Sequence, residues 1–247
     1  NTKYRIILAG LLHDIGKFWQ RADKKINNGS VVYGYTRNEP LLKHICPDTN
    51  KNNNRDYQPG YIHALWTSHF FETNKDIFHK VKQDGRELFR VNVFDRNNEF
   101  IEDNITNLAS CHHNPHTFNQ GIIQLADWWS SGLDRRHAPH SEDDDSVYSQ
   151  QDQIRYASPR FKKIPLHSIF NLISVNDKIA DEVTGYPLTS LDISSTIFPK
   201  PITNESVSED LDYKSLWNDF QDEFKNLPTD SWRGFIHTLL YLLKKYT

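Results

Sequence analysis

Methionine is missing from all 247 residues of this chain, position 1 included. That absence points to a fragment, a processed form, or a sequence from which modified methionines have dropped out, in which case some spacings run one residue short. Cysteine is nearly missing too: Cys46 and Cys111 stand far apart and in no CxxC pattern. Two isolated cysteines exclude a disulfide framework and a zinc ribbon. No apolar run approaches the length of about 18 residues that a membrane-spanning helix needs, and no secretory leader is visible, so a soluble, cytoplasmic protein with no membrane partner is expected. An excess of positive charge is also lacking. The formal net charge is -3, which leaves no basic field of the kind that non-specific duplex binders carry. A nucleic-acid ligand would need a local patch or a partner that delivers it.

What remains is rich in rings. Phe, Tyr and Trp make up 13% of the chain, enough side-chain volume for one large core or two small ones. Histidine is the other excess: 12 copies are about twice the share of an ordinary chain. Neutral imidazole is the commonest side-chain metal ligand, so where these rings gather decides the reading.

Hydrophobic periodicity predicts a mainly α fold, helical first and then a smaller strand-and-helix segment. A first helix is expected over residues 3–22. Residues 26–60, rich in Asn, Gly and Pro, read as a long loop, of a length that is usually functional or mobile, with one short helix near Leu41–His44. Helices follow over Tyr61–Asn74, Ile105–His113 (closed by Asn114-Pro115) and Gly121–Leu133, with a short strand over Leu88–Phe94. Three segments result: a helical domain over 1–136, a polar linker or loop over 137–164 carrying the acidic run Glu142–Asp145, and strand plus helices over 165–247. In the last segment Pro165–Val175 alternates as a strand does, and Leu211–Leu227 and Trp232–Tyr246 read as helices separated by Pro228.

The chain is organised around Leu8-Ala9-Gly10-Leu11-Leu12-His13-Asp14-Ile15-Gly16-Lys17-Phe18. This apolar stretch sets an imidazole and a carboxylate side by side, where unpaired polar groups cost several kcal/mol. A divalent cation removes the difficulty, because both are first-choice ligands of transition metals. Further ligands recur in similar settings. His63 sits on the helix that carries Trp66; His112 and His113 form a pair at an apolar helix end; Asp127 lies inside Leu125-Ala126-Asp127-Trp128-Trp129. Adjacent helical residues point about 100° apart, so a histidine pair can serve two neighbouring ions. Taken together, His13, Asp14, His63, His112, His113 and Asp127 fit a dinuclear site, with Asp14 as the bridge. Ligands this rich in histidine favour manganese, nickel, cobalt or iron over magnesium.

The string His13-Asp14-Ile15-Gly16-Lys17-Phe18 resembles the signature of the HD superfamily of metal-dependent phosphohydrolases. More specifically, the chain resembles the N-terminal HD nuclease domain of the large, Csm-type subunit of type III CRISPR effector complexes. The likeness runs in order through Leu8–Ala22, His63-Ala64-Leu65-Trp66-Thr67-Ser68, His112-His113-Asn114-Pro115, Ala126–Arg136 and Pro165–Phe170. The resemblance implies a circularly permuted HD fold whose remaining histidine would follow Tyr246, and absent polymerase-like domains against which Phe224, Leu227, Trp232, Phe235, Leu239 and Leu242 would be left partly exposed. It implies hydrolysis of single-stranded DNA phosphodiesters, exo- or endonucleolytic, with His13 and Asp14 at the centre of catalysis. It also implies a guide RNA and other effector subunits as partners, in prokaryotic antiviral defence. Lys17 is a candidate for neutralising a phosphate oxygen. Lys24, Lys25, Arg135 and Arg136 could track a strand's backbone, and Tyr33, Tyr35 and Trp128 could stack on its bases. Two other readings fit the same residues: an HD phosphohydrolase of nucleotides or cyclic dinucleotides, and a non-catalytic docking domain.

Overall fold

The computed structural model describes residues 2–22, 31–32, 35–36, 40–49, 57–97, 99–135, 166–175, 178–179, 183–186, 188–191, 198–202 and 213–246. The fold is mainly α, with a few two- and three-residue strands. The predicted linker over 137–164, Lys24, Lys25, Tyr33 and Arg136 lie outside the described residues, as do the side chains of Tyr35 and Arg135.

The single helix expected over 3–22 is instead two, α1 (Thr2–Leu12) and α2 (Ile15–Ala22), with His13 and Asp14 forming the corner between them. The break has a tertiary cause. The His13 carbonyl accepts the Thr67 hydroxyl at 2.7 Å, and the Lys17 amide bonds to the Asp14 carbonyl at 2.9 Å, one residue short of helical spacing. Beyond the corner, α2 lies against α4 (His63–Thr73), backbone on backbone. A Cβ at Gly16 would collide with the His63 carbonyl oxygen and the Thr67 nitrogen. Only glycine permits that approach.

The remaining elements follow the hydrophobic pattern. The short helix α3 spans Pro40–Ile45, and α5 (Lys75–Lys80) continues from α4 after Asn74. Helix α6 (Ile105–Ser110) is capped by Asn104, whose side chain accepts the Asn107 amide. It tightens into a 3₁₀ turn over Cys111–His113 before α7 (Phe118–Arg135) begins. The strand expected over Leu88–Phe94 does not form. A small hairpin, β1 (Lys82–Gln83) with β2 (Arg86–Glu87), precedes it, turning at Asp84-Gly85 with both φ values positive. Leu88, Phe89, Val91 and Val93 are buried in irregular chain; the Val91 amide bonds to the His79 ring at 3.1 Å rather than to a ladder. Pro165–Val175 is likewise no continuous strand. Its described residues form Leu166–His167, a 3₁₀ turn over Ile169–Leu172, and Ser174–Val175. Leu166–His167 pairs antiparallel with Thr184–Tyr186, which pairs in turn with Lys200–Pro201.

The last two helices, α8 (Tyr213–Phe224) and α9 (Trp232–Tyr246), correct a further expectation. Phe224, Leu227, Phe235, Leu239 and Leu242 are buried rather than partly exposed, and Trp232 packs its ring 5.2 Å from Tyr4. They belong to the same core as Leu8, Leu12, Phe18, Phe70, Phe78 and Leu108. Phe18 meets Trp217 edge-on at 5.0 Å, and Phe70 meets Phe224 at 5.0 Å. Each such ring contributes about 1.5–3 kcal/mol by burial. Helix α8 therefore clamps α2 and α4, the elements that set the His13–Asp14 corner in place, and α9 packs on α1, α5 and α8.

Candidate metal centre

All six residues singled out from sequence meet at one place. The α1–α2 corner supplies His13 and Asp14, the first turn of α4 supplies His63, the 3₁₀ turn supplies His112 and His113, and α7 supplies Asp127. Asp14 lies between the others. Its Oδ1 is 3.3 Å from His63 Nε2 and 3.8 Å from His112 Nε2, and its Oδ2 is 3.4 Å from His13 Nε2. His13 Nε2 is also 3.5 Å from Asp127 Oδ1, and His63 and His113 approach Nε2 to Nε2 at 3.0 Å. Asp14, His63, His112 and His113 form one group that can bind a metal ion, and His13, Asp14 and Asp127 form another; within each, the ligand atoms lie within 4.8 Å of one another. Asp14 is common to both.

Three buried atoms of this cluster have no hydrogen-bond partner: His13 Nε2, Asp14 Oδ1 and His112 Nε2. Their contacts with one another and with neighbouring ligand atoms, at 3.3–3.8 Å, lack hydrogen-bond geometry. Orphaned buried polar atoms converging on one point are what a cation would satisfy. The rings are also set to receive one. His13 Nδ1 is 2.8 Å from the Gly10 carbonyl and His112 Nδ1 is 2.6 Å from the Ala109 carbonyl, so each Nδ1 carries a hydrogen and each Nε2 faces the cluster.

The supports could not be read from single residues. Thr67 links α4 to the corner twice, donating to the His13 carbonyl and accepting the Gly16 amide at 3.2 Å. Tyr61 stacks on His113 at 3.9 Å and holds a φ of 52°, a left-handed conformation that a bulky residue adopts only under constraint. Gly16 carried a signal inside the His-Asp-Ile-Gly string, but its reason, the close approach of α4, is tertiary.

Two carboxylates and two neutral imidazoles suit a cation, and His13 carries a balancing proton that an ion would displace. Burial opposes charge on His13, yet contacts with Asp127 and Asp14 outweigh it and raise the ring to about 10. Burial also opposes charge on Asp14, but His13 and His63 hold its carboxyl far below the usual range; His13 lowers Asp127 in the same way. Burial lowers His112 to about 3 and lowers His113 further, so both present neutral lone pairs. Lys17 Nζ reaches Asp14 Oδ2 at 2.9 Å from a half-open position. Trp128 and Trp129, next along α7 from Asp127, are largely exposed.

Fold and site together define a mainly helical chain with a partly buried His/Asp cluster able to hold a metal ion. Beyond that class, a scan against protein-family models and searches of the curated proteins and the solved structures find no match. Among the described residues no helix is long and apolar enough to cross a membrane.

Proposed function

We propose that this chain is an HD-type phosphodiesterase that holds two divalent transition-metal ions and cleaves single-stranded DNA. The observation that carries the reading is the position of Asp14, shared between two ligand groups that together contain all six residues. A carboxylate common to two groups suits a pair of ions a few ångströms apart, the arrangement used in hydrolytic phosphoryl chemistry. When bound, such ions orient a phosphodiester and lower the pKa of a water towards neutrality. Nitrogen-rich ligands favour manganese, nickel, cobalt or iron.

The chain's own residues do the rest. Lys17, at the open side of Asp14, is placed to neutralise a non-bridging phosphate oxygen. Trp128 offers an unpaired base a stacking face beside the cluster. The sequence resemblance adds the setting: a type III CRISPR effector complex, in which a guide RNA and other subunits bring the substrate to a chain with no basic excess of its own. The test is cleavage of a labelled single-stranded oligodeoxynucleotide with manganese, nickel, cobalt or magnesium in turn, beside a His13→Ala/Asp14→Ala control. Cutting that needs a transition metal and disappears in the control supports the proposal. A folded, metal-loaded protein that leaves the strand intact but hydrolyses free nucleotides would replace it with a nucleotide phosphohydrolase; one that hydrolyses neither would leave a docking domain.

A further inference from the structure

A third ligand group, outside the His/Asp cluster, includes the first residue of the 3₁₀ turn. Ligand atoms of His44, Cys111 and His116 fall within 4.8 Å of one another. His44 is half-buried on α3, Cys111 is fully buried at the start of the turn, and His116 is exposed in the segment before α7. Two observations set this group apart from a chance meeting. His44 Nε2 is buried without a hydrogen-bond partner. His116 Nε2 and Asn114 Nδ2 both reach the His44 carbonyl, at 2.9 and 3.0 Å, which pins the end of α3 to the chain segment bearing the other two ligands. With Nε2 bonded to that carbonyl, the His116 lone pair resides on Nδ1.

We infer that His44, Cys111 and His116 form a separate binding site for a thiophilic divalent cation, zinc by ligand chemistry. One thiolate and two imidazoles are a soft, nitrogen-and-sulfur set with no carboxylate, and water completes a tetrahedron. Binding exchanges one proton for the ion: the Cys111 thiol loses H⁺ to solvent as Zn²⁺ takes the sulfur lone pair, and nothing is oxidised. Entry is from the His116 side, where the ligands grade from buried to exposed. The His44 and His116 rings stack at 4.2 Å and within 10° of parallel, so His116 must rotate, giving up its bond to the His44 carbonyl while Asn114 keeps its own, until its ring nitrogen points at the shared ion. For an exposed side chain that is a change of rotamer only. The ion would tie α3, the 3₁₀ turn and the approach to α7 together. That unit carries His112, His113 and Asp127, so the second site braces the first without sharing a ligand with it.

Cobalt reports the two sites separately. Sulfur ligation produces a near-ultraviolet thiolate-to-cobalt charge-transfer band, and the His/Asp cluster contains no sulfur. Added to chelator-treated protein, Co²⁺ is expected to give that band, and the band is expected to vanish in Cys111→Ser. It should persist in Cys46→Ser, the other thiol of the chain, and in Asp14→Ala, which disables only the His/Asp cluster. His116→Ala removes an exposed ligand with little risk to folding and should weaken the cobalt response about tenfold or more. Absence of the band at saturating cobalt, its survival in Cys111→Ser, or an unchanged affinity in His116→Ala would overturn the inference. None of these outcomes depends on whether the protein cuts DNA.

Discussion

Cys111 and His112 are neighbours in the chain, yet they serve two different clusters. A 3₁₀ turn sets consecutive side chains about 120° apart, so one turn can feed two sites. The His/Asp cluster contains two carboxylates, and its lysine stands at the open side. The His44–Cys111–His116 group has no carboxylate, and its burial grades from a closed sulfur to an open ring. Oxygen ligands leave a cation acidic enough to activate water and bind phosphate, whereas a thiolate neutralises the ion and favours a structural role. On the proposed reading, the same residue type does different work according to its company.

Breaking that contrast should have its largest effect at Asp14. Asp14→Ala removes the one ligand common to both groups of the His/Asp cluster. Metal analysis is expected to show both of its ions lost while any thiolate-bound ion remains, and cleavage should drop roughly 10³-fold, as when a preorganised charge-stabilising group is removed. Gly16→Ala comes next. The added Cβ forces α2 off α4, at a cost of about 3 kcal/mol in urea unfolding, and spoils the His13–Asp14 corner with it. A fully stable Gly16→Ala protein would show that the corner can move.

Thr67→Val sharpens the comparison more gently. It keeps the shape but deletes the bond to the His13 carbonyl and the acceptor of the Gly16 amide. A loss of about 1–2 kcal/mol is expected, with metal affinity of the His/Asp cluster down roughly 10-fold and the thiolate site unchanged. The smallest effect concerns a histidine belonging to neither cluster. Burial on α4, beside Trp19, lowers His69 to about 4 from an ordinary 6.5. The folded chain therefore binds fewer protons there than the unfolded chain, so its stability falls as pH drops through 6.5 towards 4. His69→Gln should flatten the dependence of Tm on pH by roughly a few degrees in that window. No change in slope would assign the acid sensitivity to the clusters.

How much of this was legible beforehand follows from where the information resides. His13, Asp14 and Asp127 were visible because each interrupts an apolar pattern, and interruption is a property of sequence. The mainly α fold was visible for the same reason, from periodicity. The α1–α2 corner was not: its cause is the Thr67 hydroxyl, 54 positions away. Tyr61 looked like an ordinary helix start, and its positive φ emerges only with His113 beneath the ring. His44 and His116 showed no motif, because 72 positions separate them and only the pairing of α3 with the segment before α7 unites them. The apolar faces of α8 and α9 could be read, but their partner could not. They cover α2 and α4 (from α8) and α1 and α5 (from α9) of this same chain.

The central claim is that Asp14 joins two cations. Electron paramagnetic resonance of the manganese-loaded protein tests it most directly. Two Mn²⁺ ions sharing a carboxylate should give an exchange-coupled spectrum that collapses in Asp14→Ala. A spectrum of isolated, uncoupled ions at full loading, or no manganese retained by the folded protein, would contradict it.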